Sequence, residues 1–562
     1  MRVTRRRFLQ GVLAAELAHV TGLAPEALAK AGPDELFGFR PVGNLTLLFV
    51  TDLHAHLRPI YFREPSVNMG PPGMADVPGH LGGAAALRYW GIKPGAVDAY
   101  FASSVEFEEL ARRYGRMGGV AHIATLVKRV RAERGGRVLL LDGGDTWQGT
   151  GVGLLTRGKA VVEAQNLLGF DAMTPHWEFT YGKEDTLNRI GELSADFVAH
   201  NVADDVWGEP VFKPYTIKET QDLRVGVIGQ AFPYTPIAHP RELVEGWTFG
   251  IKEDRVQQLV DELRGKKVDL VVLLSHDGLE VDRKLASLVK GIDVIVAAHT
   301  HDPLPQPLKV NNTLIVQAGS HGKYLGRLDL EVTAGKVARY EHKLYPVLSG
   351  HIPADPAMEA LVNRVHAPFE AMLGETLGVT ESLLYRRDTF MGTFDELIVE
   401  AIKDAYDPEV VFSPGFRWGT TLLPGDAITM KDVYDLTAIT YPDVWTFDLA
   451  GGRLKDILED ILDNVFNPDP FLQQGGDFTR LHGVDMVVEA AAPVMKRIRE
   501  FTIGGKPFDP TRMYKVSAWG GSLYRAGVNV RPGQRPVYEV VADYLRRKKT
   551  VRVARPDYLR FV

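Results

Sequence analysis

Leu45-Thr46-Leu47-Leu48-Phe49-Val50-Thr51-Asp52-Leu53-His54-Ala55-His56 runs from an apolar hexamer straight into alternating polar residues. The hexamer has the length and composition of a strand buried on both faces. Asp52 and His54 then fall just past its end. In an open α/β sheet that is the carboxyl edge, where ligands bind. A carboxylate and an imidazole two residues apart can both face one pocket there, which makes them candidates for half of a metal site. Alone the pair is a weak signal that reads more readily as a solvated strand end, so its meaning depends on partners elsewhere.

The same pattern recurs. Val138-Leu139-Leu140-Leu141 ends in Asp142-Gly143-Gly144-Asp145-Thr146-Trp147-Gln148-Gly149. Thr174-Pro175-His176-Trp177-Glu178-Phe179, Leu274-Ser275-His276-Asp277-Gly278 and Ala298-His299-Thr300-His301 each place a histidine where an apolar run stops. Around them strands and helices alternate. Strands are expected at 224–229, 268–274 and 294–298, and helices at 120–134 and 255–263. This alternation predicts an α/β layer fold with buried strands. One sheet edge would then gather Asp52, His54, Asp145, His176, His276, His299 and His301. Carboxylate and imidazole without sulfur suit Mn, Fe or Zn. Seven ligands exceed one tetrahedral ion, so two ions bridged by a carboxylate, roughly 3.5–4 Å apart, fit better. The expected chemistry is in-line attack of a hydroxide on a phosphoryl-like or sulfonyl-like centre.

Bulk properties narrow the class. A chain of 562 residues with 45% hydrophobic content builds at least two domains. A net charge of −6 gives no basic excess for nucleic acid. The absence of cysteine excludes disulfides, thiolate ligands and a cysteine nucleophile, and would spare an enzyme of reactive sulfur from thiol exchange. Thr4-Arg5-Arg6-Arg7-Phe8-Leu9-Gln10 matches a twin-arginine export signal, with Ala27-Leu28-Ala29 as a cleavage site. A periplasmic protein without a membrane span is expected. Residues 1–29 are read as the signal, 37–345 as the metal-bearing domain, 346–375 as a linker helix spanning Pro356 to Leu373, and 376–562 as a mixed α+β domain with helices near 394–405 and 452–465. The Pro- and Gly-rich segment from Leu57 to Gly119 reads as a long irregular insertion, more often functional than idle.

The strand-end motifs resemble those of the dinuclear metallophosphoesterases, specifically the 5′-nucleotidase group. That group reads Asp-x-His-Gly-His, Gly-Asp-x-x-x-Gly, Gly-Asn-His-Glu-Phe, Thr-His-x-Gly and Gly-His-x-His. The second half continues the resemblance through Phe412 to Arg417, Gly425 to Thr429 and Ala450 to Leu454. The resemblance implies a four-layer αββα sandwich followed by a smaller α+β domain of the 5′-nucleotidase type that closes over the metals. It implies that Asp52, His54, Asp145 and His301 hold one ion, and that Asp145 bridges to a second completed by His176, His276 and His299. His56 would stand behind the ligands, and Arg417 falls at the group's anion-binding arginine.

One departure bears on the substrate. Where 5′-nucleotidases have Gly-Asn-His-Glu-Phe-Asp, this chain has Pro175-His176-Trp177-Glu178-Phe179-Thr180. The histidine that stabilises a departing alkoxide is Trp177 here, which has one indole N–H and no protonated form. A leaving group that is already a good anion, such as a persulfide, does not need that acid. The His-Trp-Glu-Phe-Thr-Tyr-Gly run, the insertion and the export signal resemble the SoxB family, the sulfate thiohydrolases (thiosulfohydrolases) of bacterial Sox sulfur oxidation. This implies two Mn(2+) ions, and a monomer is expected. It implies hydrolysis of a cysteine S-thiosulfonate carried near the C-terminus of SoxY in the SoxYZ carrier, with Arg417 gripping the sulfonate and Trp177 as a wall or single donor. A periplasmic 5′-nucleotidase or cyclic phosphodiesterase on the same scaffold is the alternative, and a metal-stabilised binding module without catalysis is a third.

Overall fold

A computed structural model describes residues 37–562. The expected export signal, residues 1–29, lies outside the described residues. Two six-stranded sheets form the first part. In sheet I, β1 (Leu45–Val50), β2 (Val138–Asp142), β3 (Ala172–Met173) and β4 (Asp196–Phe197) run parallel. In sheet II, β5 (Tyr215–Glu219) is an antiparallel edge beside β6 (Arg224–Gln230), which continues in parallel through β7 (Leu270–Ser275), β8 (Val294–Val296) and, past β9 (Leu308–Val310), β10 (Thr313–Val316). The antiparallel pair β11 (Tyr324–Thr333) and β12 (Lys336–Pro346) returns the chain to sheet I beside β1, giving the order β12-β11-β1-β2-β3-β4.

Strand alternation puts the sheets face to face. Leu45, Leu47, Phe49, Leu139 and Leu141 share one buried cluster with Val225, Val227, Val271, Leu273 and Val294 of sheet II. Leu48, Val50 and Leu140 point the other way, onto helix Val120–Arg134. Helices Glu253–Gly265 and Leu279–Leu288 cover the outer face of sheet II. The result is the four-layer αββα sandwich. Its parallel strands bring five carboxyl ends, those of β1, β2, β3, β7 and β8, to one edge.

Beyond it, a mixed five-stranded sheet contains Val410–Ser413, Asp443–Ala450 and Met513–Ala518. Helices Thr393–Tyr406, Met430–Thr437 and Val537–Lys548 pack beside it. The connecting helix differs from expectation: it runs Pro356–His366 and gives way to a 3-10 turn at Ala367–Phe369 before a last short helix, Glu370–Leu373. Pro368 cannot donate to a continuing helix. The insertion also differs. It holds three short helices, Gly83–Trp90, Val97–Ala102 and Phe107–Tyr114. The last buries Phe107, Leu110, Ala111 and Tyr114 at helical spacing, a signal that the surrounding Gly and Pro obscured.

Candidate metal centre

Two side-chain groups among the described residues have ligand atoms within 4.8 Å of one another: Asp52, His54, Asp145 and His301, and Asp145, His176, His276 and His299. Asp145 belongs to both. All seven strand-end candidates therefore meet in one buried place. Asp145 Oδ2 lies 3.0 Å from His276 Nε2 and 3.6 Å from His54 Nε2, and its Oδ1 lies 3.2 Å from His176 Nδ1. Asp52 Oδ1 is 3.5 Å from His301 Nε2.

The main chain aims these groups. Asp52, His54, Asp145, His299 and His301 all have φ between 47° and 75°, a region non-glycine residues rarely visit. Each such residue stores about 1–3 kcal/mol of strain, so the strand ends are held by what surrounds them. Gly144 (φ 91°) lets one of the turns approach: a Cβ there would fall 2.3 Å from the Thr174 carbonyl oxygen. Asp145 Oδ1 accepts the Trp177 N–H at 2.8 Å, and Asp52 Oδ1 accepts the His299 N–H at 2.8 Å. Buried Glu178 accepts the N–H groups of Thr146 (2.7 Å), Trp147 (3.2 Å) and His176 (2.7 Å), clamping the loops after β2 and β3 together. Its burial, then the nearby Asp145 charge, push its carboxyl up to about 7.

The donor set fits metal ions. His54 Nδ1 faces the Gln148 carbonyl at 3.1 Å and His276 Nδ1 the Gly143 carbonyl at 2.6 Å, which leaves each Nε2 turned into the centre. The ring nitrogens of His176 and His299, His276 Nε2 and Asp52 Oδ2 are buried and make no aligned hydrogen bond among the described residues. Burial keeps His54, His299 and His301 below the ordinary imidazole range and His176 near 4, so their lone pairs are available. Burial would also lower His276, but Asp145 and Asp52 lift it to about 10. Burial would raise Asp145, but His176 and His276 hold it well below the carboxylate range. These groups could hold two cations with Asp145 between them.

Phe232 packs against His176 and His299, both ring centroids at 4.2 Å. His56 lies outside both ligand groups, its ring 4.9 Å from that of His321. His321 was not singled out from sequence. It is buried, stacks on Phe62 at 3.9 Å and stands 5.5 Å from the His54 ring. Its signal was present: Gly319-Ser320-His321-Gly322 follows the apolar run of β10, as the other motifs follow theirs.

Trp177 is buried edge-on to His239 (4.4 Å), Trp418 (4.7 Å) and Phe416 (5.3 Å), forming an aromatic wall beside the centre. Arg417 reaches over the cluster, donating from one terminal nitrogen to the His299 carbonyl at 3.2 Å and from Nε to Asp477 at 3.0 Å. Asp477 also accepts from Arg387 at 3.1 Å to both oxygens. Burial would raise Asp477, but Arg387 and Arg417 hold it below the usual carboxylate range. The sequence pointed to Arg417 through resemblance but not to Arg387 and Asp477, whose pairing joins residues 90 positions apart.

Residues 377–526 match the 5′-nucleotidase C-terminal domain family. The chain is similar to the sulfate thiohydrolase SoxB of Thermus thermophilus, with 43% identity and a TM-score of 0.91, covering 94% of this chain and 98% of that one. It shares the fold of a 5′-nucleotidase precursor from Thermus thermophilus, at 22% identity and TM-score 0.73, covering 92% and 99% of the two chains. Among curated relatives, the 5′-nucleotidase of Bos taurus is 31% identical over 293 residues, 47% of this chain and 50% of that protein. The chain thus spans about half the length of the mammalian relatives it matches.

Proposed function

The chain belongs to the SoxB family of sulfate thiohydrolases within the 5′-nucleotidase-type hydrolases, and from that membership we propose that it hydrolyses a carrier-bound cysteine S-thiosulfonate. The carrier is SoxYZ, with the modified cysteine near the C-terminus of SoxY, and the reaction takes place in the periplasm after twin-arginine export. Water adds oxygen to the terminal sulfonate sulfur, the S–S bond breaks, and its electron pair leaves with the carrier's persulfide. Sulfate is released with two protons, one of which the persulfide anion can take up. The observation that carries the reading is Trp177, which stands against the shared carboxylate Asp145 where the 5′-nucleotidases have an acidic histidine.

Two divalent ions, proposed as Mn(2+), would be held by Asp52, His54, Asp145 and His301 and by Asp145, His176, His276 and His299. Bound there, they supply a water of lowered pKa and polarise a tetrahedral anion. The rest falls to the chain. Arg417 grips sulfonate oxygens with the donors not turned to Asp477 and His299, and Arg387 adds positive charge behind it. Trp177, Phe416 and Trp418 give the departing sulfur an apolar wall. That wall suits a soft, polarisable anion and offers no proton to an alkoxide.

The test offers the Mn-loaded protein two substrates separately: carrier-bound S-thiosulfonate and AMP. Sulfate from the first, with little phosphate from the second, is expected. Phosphate release from AMP at a rate matching or exceeding sulfate release would replace this reading with the 5′-nucleotidase one.

A further inference from the structure

His321 stands where three segments of the chain meet. Its backbone N–H donates to the Asp52 carbonyl at 2.8 Å, on the turn that carries the first ligand candidates. Its ring stacks on Phe62 of the insertion at 3.9 Å. Its Nε2 lies 3.3 Å from the backbone nitrogen of Gly419. Gly419 ends the stretch Phe416-Arg417-Trp418-Gly419 of the second domain, which brings Arg417 and part of the aromatic wall over the centre. Like five of the ligand candidates, His321 holds a positive φ, here 57°, that non-glycine residues rarely adopt.

Hydrogen-bond chemistry assigns the ring's tautomer. A backbone N–H can only donate, so Nε2 accepts from Gly419 and the ring proton sits on Nδ1, 2.7 Å from Ser320 Oγ. Both nitrogens of this fully buried ring are thereby used. The far end of the Arg417 loop is tied to the insertion, through the Thr421 N–H to the Tyr61 carbonyl at 2.8 Å and the Arg63 N–H to Thr421 Oγ1 at 3.0 Å. Between that tie and Arg417 the loop is seated closely: a Cβ on Gly419 (φ 140°) would come within 2.5 Å of the Leu436 side chain. A buried N–H left without its acceptor is costly, so losing the His321 nitrogen would shift the loop. Asp477 orients the Arg417 guanidinium, whereas His321 places the backbone that carries it.

We propose that His321 is a positioning residue that fixes the Arg417 loop relative to the Asp52 turn, so that the anion grip and the metal centre face one tetrahedral group. It touches no substrate and acts through Arg417. This rests on the anion grip proposed above for Arg417.

The test uses the full-length Mn-loaded protein, with inorganic sulfate as the probe and hydrogen–deuterium exchange over residues 416–421. His321→Phe keeps a ring on Phe62 and removes the acceptor. His321→Gln returns an acceptor near the place of Nε2, and His321→Asn puts one near Nδ1 instead. Phe and Asn are expected to weaken the sulfate Kd and to speed exchange at Gly419, each about tenfold, with Gln within about threefold of wild type. Both ions should remain by elemental analysis, because the bond to the Asp52 carbonyl comes from the backbone. In an Arg417→Ala background the same changes should leave the sulfate Kd alone, since no guanidinium is left to place. An unchanged Kd in Phe and Asn overturns the assignment. Equal loss in all three overturns it by making His321 a packing residue, and loss of metal does so by making it a support of the ligands. Full additivity with Arg417→Ala overturns it too. If Arg417→Ala leaves sulfate binding intact, or wild type does not bind sulfate, the anion grip fails instead. Exchange at Gly419 then decides alone whether His321 holds the loop, and unchanged exchange overturns it. If His321→Phe does not fold, the comparison of Gln with Asn carries the test.

Discussion

The ligand cluster and the rim above it are built by opposite means. Asp52, His54, Asp145, His299 and His301 are aimed by the backbone: each sits within a few residues of a strand end with its φ forced positive. Arg387, Arg417 and Asp477 are aimed by one another, through ion pairs that join distant segments. The first construction resists change in position and fails when a ligand is lost. The second can redistribute, because three guanidiniums, including Arg480 at 3.5 Å, share one carboxylate. Variants on the two sides should therefore fail differently.

The largest effect is expected from Asp145→Asn, which removes the only carboxylate common to both groups. Turnover should fall on the order of 10³-fold or more, with bound metal reduced in elemental analysis. Retention of both ions and most activity would remove Asp145 from its bridging place. Next is Trp177→His combined with Thr180→Asp, which restores the residues 5′-nucleotidases carry there. A positioned general acid contributes about 10²–10⁴-fold, so AMP hydrolysis should rise about 10²-fold while sulfate release gains nothing. No gain on AMP would show that the wall does not set the leaving group.

Asp477→Asn probes the rim. Removing a buried partner from Arg387 should destabilise the fold by about 3–5 kcal/mol, read by denaturant titration. It should alter KM about tenfold while kcat moves less, because in the proposed reaction Arg417 binds the anion and does not react. A fall in kcat with KM unchanged would place the ion pair in the chemistry. The smallest effect is a control on helix Thr393–Tyr406. Burial, then Glu400 and Asp395, raise Glu396 to about 7. A carboxyl raised above its unfolded value favours folding fully below about 4.5 and loses that contribution as pH climbs through 7. Glu396→Gln should therefore match wild type at low pH and exceed it by about 1–2 kcal/mol above neutrality, after discounting for partial exposure. Sulfate release should not change. If it did, effects at the centre could not be separated from general stability.

The same contrast explains what could be read from the chain alone. Buried parallel strands are continuous apolar runs, so their ends, and the Asp and His residues placed there, are visible in one dimension. The α/β layering and the meeting of all seven candidates rest on that, while the four-layer αββα arrangement came through resemblance. His321 obeyed the same rule and was passed over because its strand, Thr313–Val316, is short and follows a hairpin. The rim was legible only at Arg417, through resemblance. Nothing local marks Asp477 or Arg387, since their places depend on contacts between the insertion, the loop at 387–389 and the loop at 475–477. The insertion's helices were lost among turn formers although Phe107 to Tyr114 carried the right spacing.

In the proposed reaction water attacks the sulfonate sulfur and the carrier keeps the inner one. Charged carrier would be incubated with the Mn-loaded protein in ¹⁸O-labelled water, with intact-mass analysis of the carrier and isotope analysis of the sulfate. The carrier is expected to lose SO₃ alone, retaining a persulfide, and each sulfate to gain one labelled oxygen. Thiosulfate released with a free carrier thiol, or sulfate without label, would contradict that route.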